Sequence, residues 1–250
     1  MGLTIHALPA GVIRGFPKPA ITYHRGWHEQ IDTPQIIFVI LGGEHPVVVD
    51  TGTPPPEFVR RHHGYDFHRP EHHEPAKVLA GIGVEPGDVH TVINTHLHWD
   101  HCGSNDLFTK ARFFIQREEL HYAVDPAEPN RVAFERVDGL TPPWMPVLGR
   151  IETVTGEAEV EPGITVVPLP GHTPGSQGVL VRTDAGPFLL AGDCIDTYEN
   201  WRGDGTLEHI PSGSFTNLVD YMDSFRRMEA LGAEVIPSHD PLVLERKVFG

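Results

Sequence analysis

An α/β fold, with two β-sheets packed face to face and helices outside, is the architecture this 250-residue sequence predicts. Three observations point to it. Short apolar runs with the character of buried strands alternate with segments of helical spacing. Histidine or aspartate recurs directly after several of those runs, just past the end of a predicted strand. The length suits one large domain, residues 1–250, with a substantial core and no internal repeat, low-complexity tract or linker.

Taken in order, Ile36 to Leu41 and Val47 to Asp50 read as a hairpin turned at Gly42-Gly43-Glu44. Pro75 to Gly81 suggests a helix. Glu85-Pro86-Gly87-Asp88 then turns the chain into an apolar run (Val89, Val92, Ile93) that reads as a buried strand. Arg112 to Gln116 is a predicted strand and Glu118 to Ala123 a predicted helix. Ile164 to Leu169, Pro187 to Ala191 and Glu234 to Ile236 are further apolar segments. Between Phe215 and Leu231, Leu218, Tyr221, Met222 and Phe225 fall at helical spacing, with Gly232 as the stop. Three polar, proline-broken stretches, Thr53 to Glu74, Pro126 to Pro146 and Thr197 to Ser214, are expected to be long loops covering a site. Trp27, Phe67, Trp144, Tyr198 and Trp201 lie in such segments and are candidate substrate walls. His62, His63, His68, His72 and His73 match no ligand template and read as a solvated stretch near the mouth of that site.

The chemistry concentrates in Thr95-His96-Leu97-His98-Trp99-Asp100-His101, directly after the Val89–Ile93 run. Residues at i, i+2 and i+4 of an extended chain project to one side, about 6.6 Å apart per step. His96, His98 and Asp100 can therefore lean towards one point while His101 approaches from the turn. Neutral imidazole and carboxylate are ligands that zinc, manganese or iron accept. Downstream come Gly171-His172-Thr173-Pro174-Gly175, then Leu190-Ala191-Gly192-Asp193, then Pro237-Ser238-His239-Asp240, each after an apolar segment. Four such sites in one chain, in this order, point to a metal centre.

Through these motifs, and through Val47-Val48-Val49-Asp50-Thr51-Gly52 before them, the sequence resembles the metallo-β-lactamase superfamily over nearly its whole length. The resemblance implies the metallo-β-lactamase fold, a four-layer αββα sandwich with the metal site at one edge of the sheets. Carried over by position, His96, His98 and His172 would hold one metal ion, Asp100, His101 and His239 a second, and Asp193 would bridge them. Asp50 resembles the residue that orients the ligand strand from behind.

Within the superfamily, Asp193 and the plain N-terminus point away from the secreted β-lactamases, and His98 stands where diiron flavoproteins tend to carry glutamate. Only Pro241 to Gly250 follow His239, which leaves no space for the helical C-terminal domain of glyoxalase II-like thioesterases. The greatest similarity is to the N-acyl homoserine lactonase-like group, including lactonases acting on small γ-butyrolactones. A glyoxalase II-like thioesterase and a mononuclear iron oxygenase of the persulfide dioxygenase kind are the alternative readings. One departure stands out. Those lactonases place a tyrosine three residues after the bridging aspartate; this chain has Asp196 there and Tyr198 two positions further on. Either Tyr198 substitutes from a shifted loop, or Asp196 faces away, or the substrate differs, with Asp196 gripping an ammonium or amide N–H.

The implied enzyme is a dinuclear metal-dependent hydrolase. Two divalent ions are expected, zinc first, with manganese, cobalt and iron accepted by the same donors. A metal-bridging hydroxide would attack the carbonyl of a lactone or a related cyclic ester or amide, and Asp100 would return a proton to the leaving group. Asp100, Asp193, Tyr198 and Asp196 are thus the candidate catalytic residues. Cys102 and Cys194 lack disulfide-framework spacing and read as small buried fillers.

The formal charge of −15 argues against nucleic-acid partners. No run approaches the roughly 18 apolar residues of a membrane span, and Met1 to His6 lack the pattern of a secretion signal. A cytoplasmic enzyme of a small carbonyl-bearing substrate is the expectation, with homodimerisation implied by resemblance alone.

Overall fold

The structure, a computed structural model, describes residues 2–250. Two long strands, β1 (Thr4–Pro17) and β2 (Gln30–Leu41), pair antiparallel from Thr4↔Leu41 to Pro17↔Gln30. Then come β3 (Val47–Val49), β4 (Asp66–His68), β5 (Thr91–Ile93), β6 (Arg112–Gln116) and β7 (Ile151–Val154). With β13 (Val248–Phe249) they form a sheet ordered β13-β1-β2-β3-β5-β6-β7, in which β4 also pairs with β1. The second sheet runs β12-β11-β10-β9-β8 and comprises β8 (Ala158–Glu161), β9 (Ile164–Pro168), β10 (Gln177–Thr183), β11 (Gly186–Leu190) and β12 (Glu234–Ile236).

The unbroken apolar run of β2 has a simple cause: both faces of its sheet are covered. Alternate side chains point opposite ways. Ile36, Phe38 and Ile40 join Val166, Val179, Val181 and Leu190 of the second sheet in one buried cluster. Ile37 and Val39 belong instead to the cluster that takes in Val78 and Leu79 of the helix Pro75–Ala80 and Ala123 of the helix Arg117–Val124. The far face of the second sheet (Val167, Leu169, Leu189) is covered by Tyr221, Phe225 and Met228 of the helix Leu218–Leu231. The layers are therefore helix, sheet, sheet, helix.

That last helix shows how local signals set the element. The Asn217 side chain accepts from the Val219 and Asp220 N–H groups at its start, and Gly232 ends it at a left-handed φ of 60°. Its buried stripe is Tyr221, Ser224, Phe225 and Met228, at the i, i+3, i+4, i+7 positions of one face. Met222, expected on that stripe, lies one residue off it and is exposed.

Two expectations need correction. Thr53 to Glu74 is not a loop: it contains the helix Pro56–His62 and β4, which pairs with β1 at Ile13↔Phe67, and Thr197 to Ser214 likewise contains the helix Tyr198–Arg202. Pro56 sits in the first helical turn, where its missing N–H costs nothing. The short helices and strand here obey tertiary pairing that no local periodicity announces. The second correction concerns Asp100, which is not on extended chain. It lies in the helical turn Trp99–Cys102, so that turn rather than strand alternation aims it. Among the described residues no helix is long and apolar enough to cross a membrane.

The parallel pairs β3–β5 and β11–β12 end their strands in the same direction within each sheet. Asp50, the His96 motif, Asp193 and His239 each follow one of these four strands, and His172 lies in the turn between β9 and β10. That turn is packed against the helix Arg117–Val124 so closely that a Cβ on Gly175 would lie 2.0 Å from the Glu119 nitrogen. We predict that Gly175→Ala lowers stability by about 3 kcal/mol or more, whereas Gly87→Ala, with nothing within 4 Å, stays within about 0.5 kcal/mol. Thermal unfolding of both variants checks this, and equal melting temperatures would refute it.

Candidate metal centre

Asp193 lies in a 3-10 turn after β11, and its two carboxylate oxygens address different partners. Oδ2 is 3.8 Å from His96 Nε2 and 3.5 Å from His172 Nε2. Oδ1 is 3.1 Å from His101 Nε2 and 3.2 Å from His239 Nε2. On the first side, His172 Nε2 lies 3.1 Å from His98 Nδ1. On the second, Asp100 Oδ2 lies 3.8 Å from His101 Nε2 and 4.0 Å from His239 Nε2. The donor atoms of His96, His98 and His172 fall within 4.8 Å of one another, as do those of Asp100, His101 and His239.

These residues fit a pair of cations. His96 Nε2 and His101 Nε2 are shielded from solvent and have no hydrogen-bond partner. A buried polar atom left unpaired is costly, and a cation between such lone pairs removes the cost. The opposite ring nitrogens of four histidines are already engaged. His101 Nδ1 donates to Asp50 Oδ2 (2.8 Å), His96 Nδ1 to Thr95 Oγ1 (3.1 Å), His172 Nδ1 to the Ser214 carbonyl (2.8 Å) and His239 Nδ1 to the Pro34 carbonyl (2.9 Å). In the neutral ring each bond fixes the tautomer that leaves Nε2 free as a ligand. Against burial, Asp193 raises His101 well above the ordinary histidine range and His239 to about 9, so at these two an incoming cation takes the place of a proton. Ser238 Oγ donates to Asp193 Oδ1 at 2.8 Å and fixes that carboxylate in turn.

Asp50 is held at a φ of +56°, an uncommon conformation for a residue with a Cβ. From there its Oδ1 accepts the Thr95 N–H (2.7 Å), and its Oδ2 accepts the Thr95 hydroxyl (2.8 Å) beside His101. The backbone strain is offset by three hydrogen bonds to a buried charge.

Burial, and then the neighbouring histidines, hold His96 and His98 well below the ordinary histidine range, so both are neutral imidazoles at neutral pH. Burial also lowers His172. Burial would raise Asp193, but His101 and His239 outweigh it and hold that carboxyl well below its ordinary value. Asp196 is the opposite case: burial and then Asp193 push it well up.

A pocket opens over this floor, and Asp100, Asp193, Asp196, His98, His172 and His239 all face it. Its apolar walls come from the end of β1 (Ile13, Phe16), from Ala20 and Ile21, and from Tyr65 and Trp99. Tyr65 and His63 both stack on the Trp99 ring, and His63 is tied to Glu135 by a buried 3.0 Å contact. Sequence reading missed Ile13, Phe16, Gln35 and Tyr65, and the aromatic residues it favoured lie elsewhere. Trp27 is exposed, Phe67 and Trp144 are buried in apolar clusters, and Trp201 stacks on His209. Tyr198 is not on the pocket wall: it packs against the inter-sheet core, with the Arg202 guanidinium over its ring. Outside this site, no group of three potential ligands comes together among the described residues, and the other histidines of 62–73 form no such cluster.

Comparison with known proteins agrees with the geometry. A family model described as the metallo-beta-lactamase superfamily matches residues 32–239. An N-acyl homoserine lactonase from a Bacillus species is 29% identical over 227 residues, covering 86% of this chain and 81% of its own. The N-acyl homoserine lactonase AttM of Azorhizobium caulinodans is 31% identical over 173 residues, covering 65% of this chain and 62% of its own. Among solved structures, an N-acyl homoserine lactone hydrolase with N-hexanoyl-L-homoserine at its metal centre superposes with a TM-score of 0.77 at 23% identity, over 95% of this chain and 93% of that one. That structure shares the fold of this chain.

Glu119 went unnoticed in the sequence because it sits on a plain helical segment. It is fully buried; Oε1 accepts the Leu97 N–H (2.8 Å) and Oε2 the Thr173 hydroxyl (2.5 Å). One carboxyl thus ties the His96–His98 segment to the residue after His172. Burial, against its hydrogen bonds from Thr173, Leu97 and Gly175, raises it from 4.5 to about 7. The folded chain therefore holds a proton that the unfolded chain releases near pH 4.5. Rising pH disfavours folding across that window and stops doing so above pH 7, at a total on the order of 3 kcal/mol. Glutamine can keep both contacts without titrating. Urea denaturation should find wild type losing stability relative to Glu119→Gln between about pH 5 and pH 7, and a pH-independent difference would contradict the assignment.

Proposed function

Because the chain belongs to the metallo-β-lactamase superfamily, we propose that it is a dinuclear metal hydrolase that opens lactone rings, N-acyl homoserine lactones being the first substrates to test. One observation carries the proposal: Asp193 turns one oxygen towards His96 and His172 and the other towards His101 and His239. The kinship with relatives named N-acyl homoserine lactonases supports the choice of substrate.

His96, His98 and His172 would hold one ion, Asp100, His101 and His239 the other, and Asp193 would be shared. Zinc is the first choice, with manganese, cobalt and iron acceptable to the same donors. When bound, the pair supplies hydroxide at neutral pH and polarises the substrate carbonyl. The remaining work belongs to the chain. Ile13, Phe16 and Ile21 offer an apolar wall for a ring or acyl chain and exclude water around it. Asp100 is the more accessible of the two ligand carboxylates, with 16% of its side chain exposed against 9% for Asp193. It takes the proton of the attacking hydroxyl and passes it to the alkoxide as the ring C–O bond breaks, leaving a carboxylate and an alcohol. Tyr65 is the phenol on the pocket wall, a part that Tyr198, packed in the core, does not fill. Burial and then Asp100 raise Tyr65 above the ordinary phenol range, so it remains a hydrogen-bond donor to the substrate carbonyl throughout neutral pH.

Elemental analysis should find two divalent ions per chain, and a pH-indicator assay should register acid release from N-acyl homoserine lactones. A metal-loaded protein inert towards every lactone, or one iron per chain with oxygen uptake, would overturn the proposal. Tyr65→Phe should lower kcat about 10²-fold at unchanged ion content. Turnover at the parental rate would remove Tyr65 from the reaction.

A further inference from the structure

Asp196 has no role in the scheme above, although it lies beside the centre. We propose that Asp196 is an additional metal ligand, joining Asp100, His101, Asp193 and His239 around the second ion; this rests on the dinuclear reading. Its carboxylate oxygen falls within 4.8 Å of the donor atoms of Asp193 and His239, which themselves lie within that distance of each other. The His239 N–H donates to the Asp196 carbonyl at 2.8 Å, so the two residues are positioned together. The side chain is buried at 2% exposure, and Oδ2 is shielded from solvent with no hydrogen-bond partner. His96 Nε2 and His101 Nε2 carry the same signature.

A substrate ammonium would have to reach that oxygen through the pocket, but the oxygen is closed to solvent. An ion seated beside Asp193 and His239 would lie next to the Asp196 carboxylate, which has an oxygen within 4.8 Å of both their donor atoms. Charge points the same way. A buried carboxylate next to Asp193 is costly without a cation. Two divalent ions, three carboxylates and one hydroxide cancel. The first group would then be dominated by imidazole and the second by carboxylate oxygen, a donor set that suits harder ions such as manganese.

The test uses the full chain loaded with zinc and titrated with a chelator while released zinc is measured. The parent should release two ions. Asp196→Asn and Asp196→Ala should release one of them at a chelator concentration at least ten- to hundredfold lower, with the other unchanged. A second measurement reads the coordination itself. On stepwise cobalt loading, the visible bands of the ion entering the oxygen-rich site should be weaker in the parent than in Asp196→Ala, which has one donor fewer, and identical spectra in the two would refute the proposal. Unchanged affinity for both ions in the variants would also refute it, including the case in which they instead raise KM for ammonium-bearing lactones. A parent that binds fewer than two ions would fail the dinuclear reading itself.

Discussion

Asp50 accepts three hydrogen bonds from a left-handed turn, two from Thr95 and one from His101. β3 and β5 are short and parallel, paired only from Val47↔Thr91 to Val49↔Ile93, and Asp50 and Thr95 follow their ends. A buried carboxylate, unable to remain unpaired, makes a join between them compulsory. It anchors the start of the histidine motif, turns His101 and selects its tautomer in one stroke. The ligand geometry downstream inherits its origin from this point.

The other supports come from distant chain. The Pro34 carbonyl on β2 holds His239, the Ser214 carbonyl holds His172, Ser238 holds Asp193, and Glu119 joins the two loops that carry the histidine trio. These bonds connect residues far apart in sequence, and those of Pro34 with His239 and of Glu119 with Leu97 and Thr173 cross between the two sheets. The centre can therefore form only after the sheets have docked, and loop closure for such non-local contacts is costly until they exist. Folding and assembly of the site are one event. The same coupling accounts for the tight approach at Gly175, where the ligand turn touches the helix that supplies Glu119.

Much of this could be read from the chain, for a physical reason. Polar residues placed directly after strands keep their local signal, so the candidates His96, His98, Asp100, His101, His172, Asp193 and His239 could be picked out, and their side chains lie together in the fold. The core strands β2, β5, β9, β11 and β12 were legible because burial on both faces demands continuous apolar runs. The walls were not. Ile13, Phe16 and Tyr65 reach the pocket through the β1–β2 and β1–β4 pairings, which leave no trace in local periodicity. Tyr198 and Asp196 differ in direction because the helix Tyr198–Arg202 begins between them, and helical geometry turns the tyrosine into the core. His63 looked like part of a solvated run, yet its contact with Glu135 is buried.

The apolar wall and the catalytic floor are built from different stretches of chain. Ile13, Phe16, Ala20 and Ile21 belong to the first 21 residues, whereas every ligand lies at or beyond His96. That first segment also supports the floor: Ile13 and Phe16 pack with Trp99, between His98 and Asp100, and the Ala20 carbonyl accepts the Ser212 hydroxyl, two residues before the Ser214 carbonyl that holds His172. A change in the bulk of residues 13 to 21 therefore alters the pocket and the support beneath it together. A lineage, or an engineer, reshaping the room above the floor on this scaffold has to rebalance the contacts with Trp99 and Ser212 in the same step.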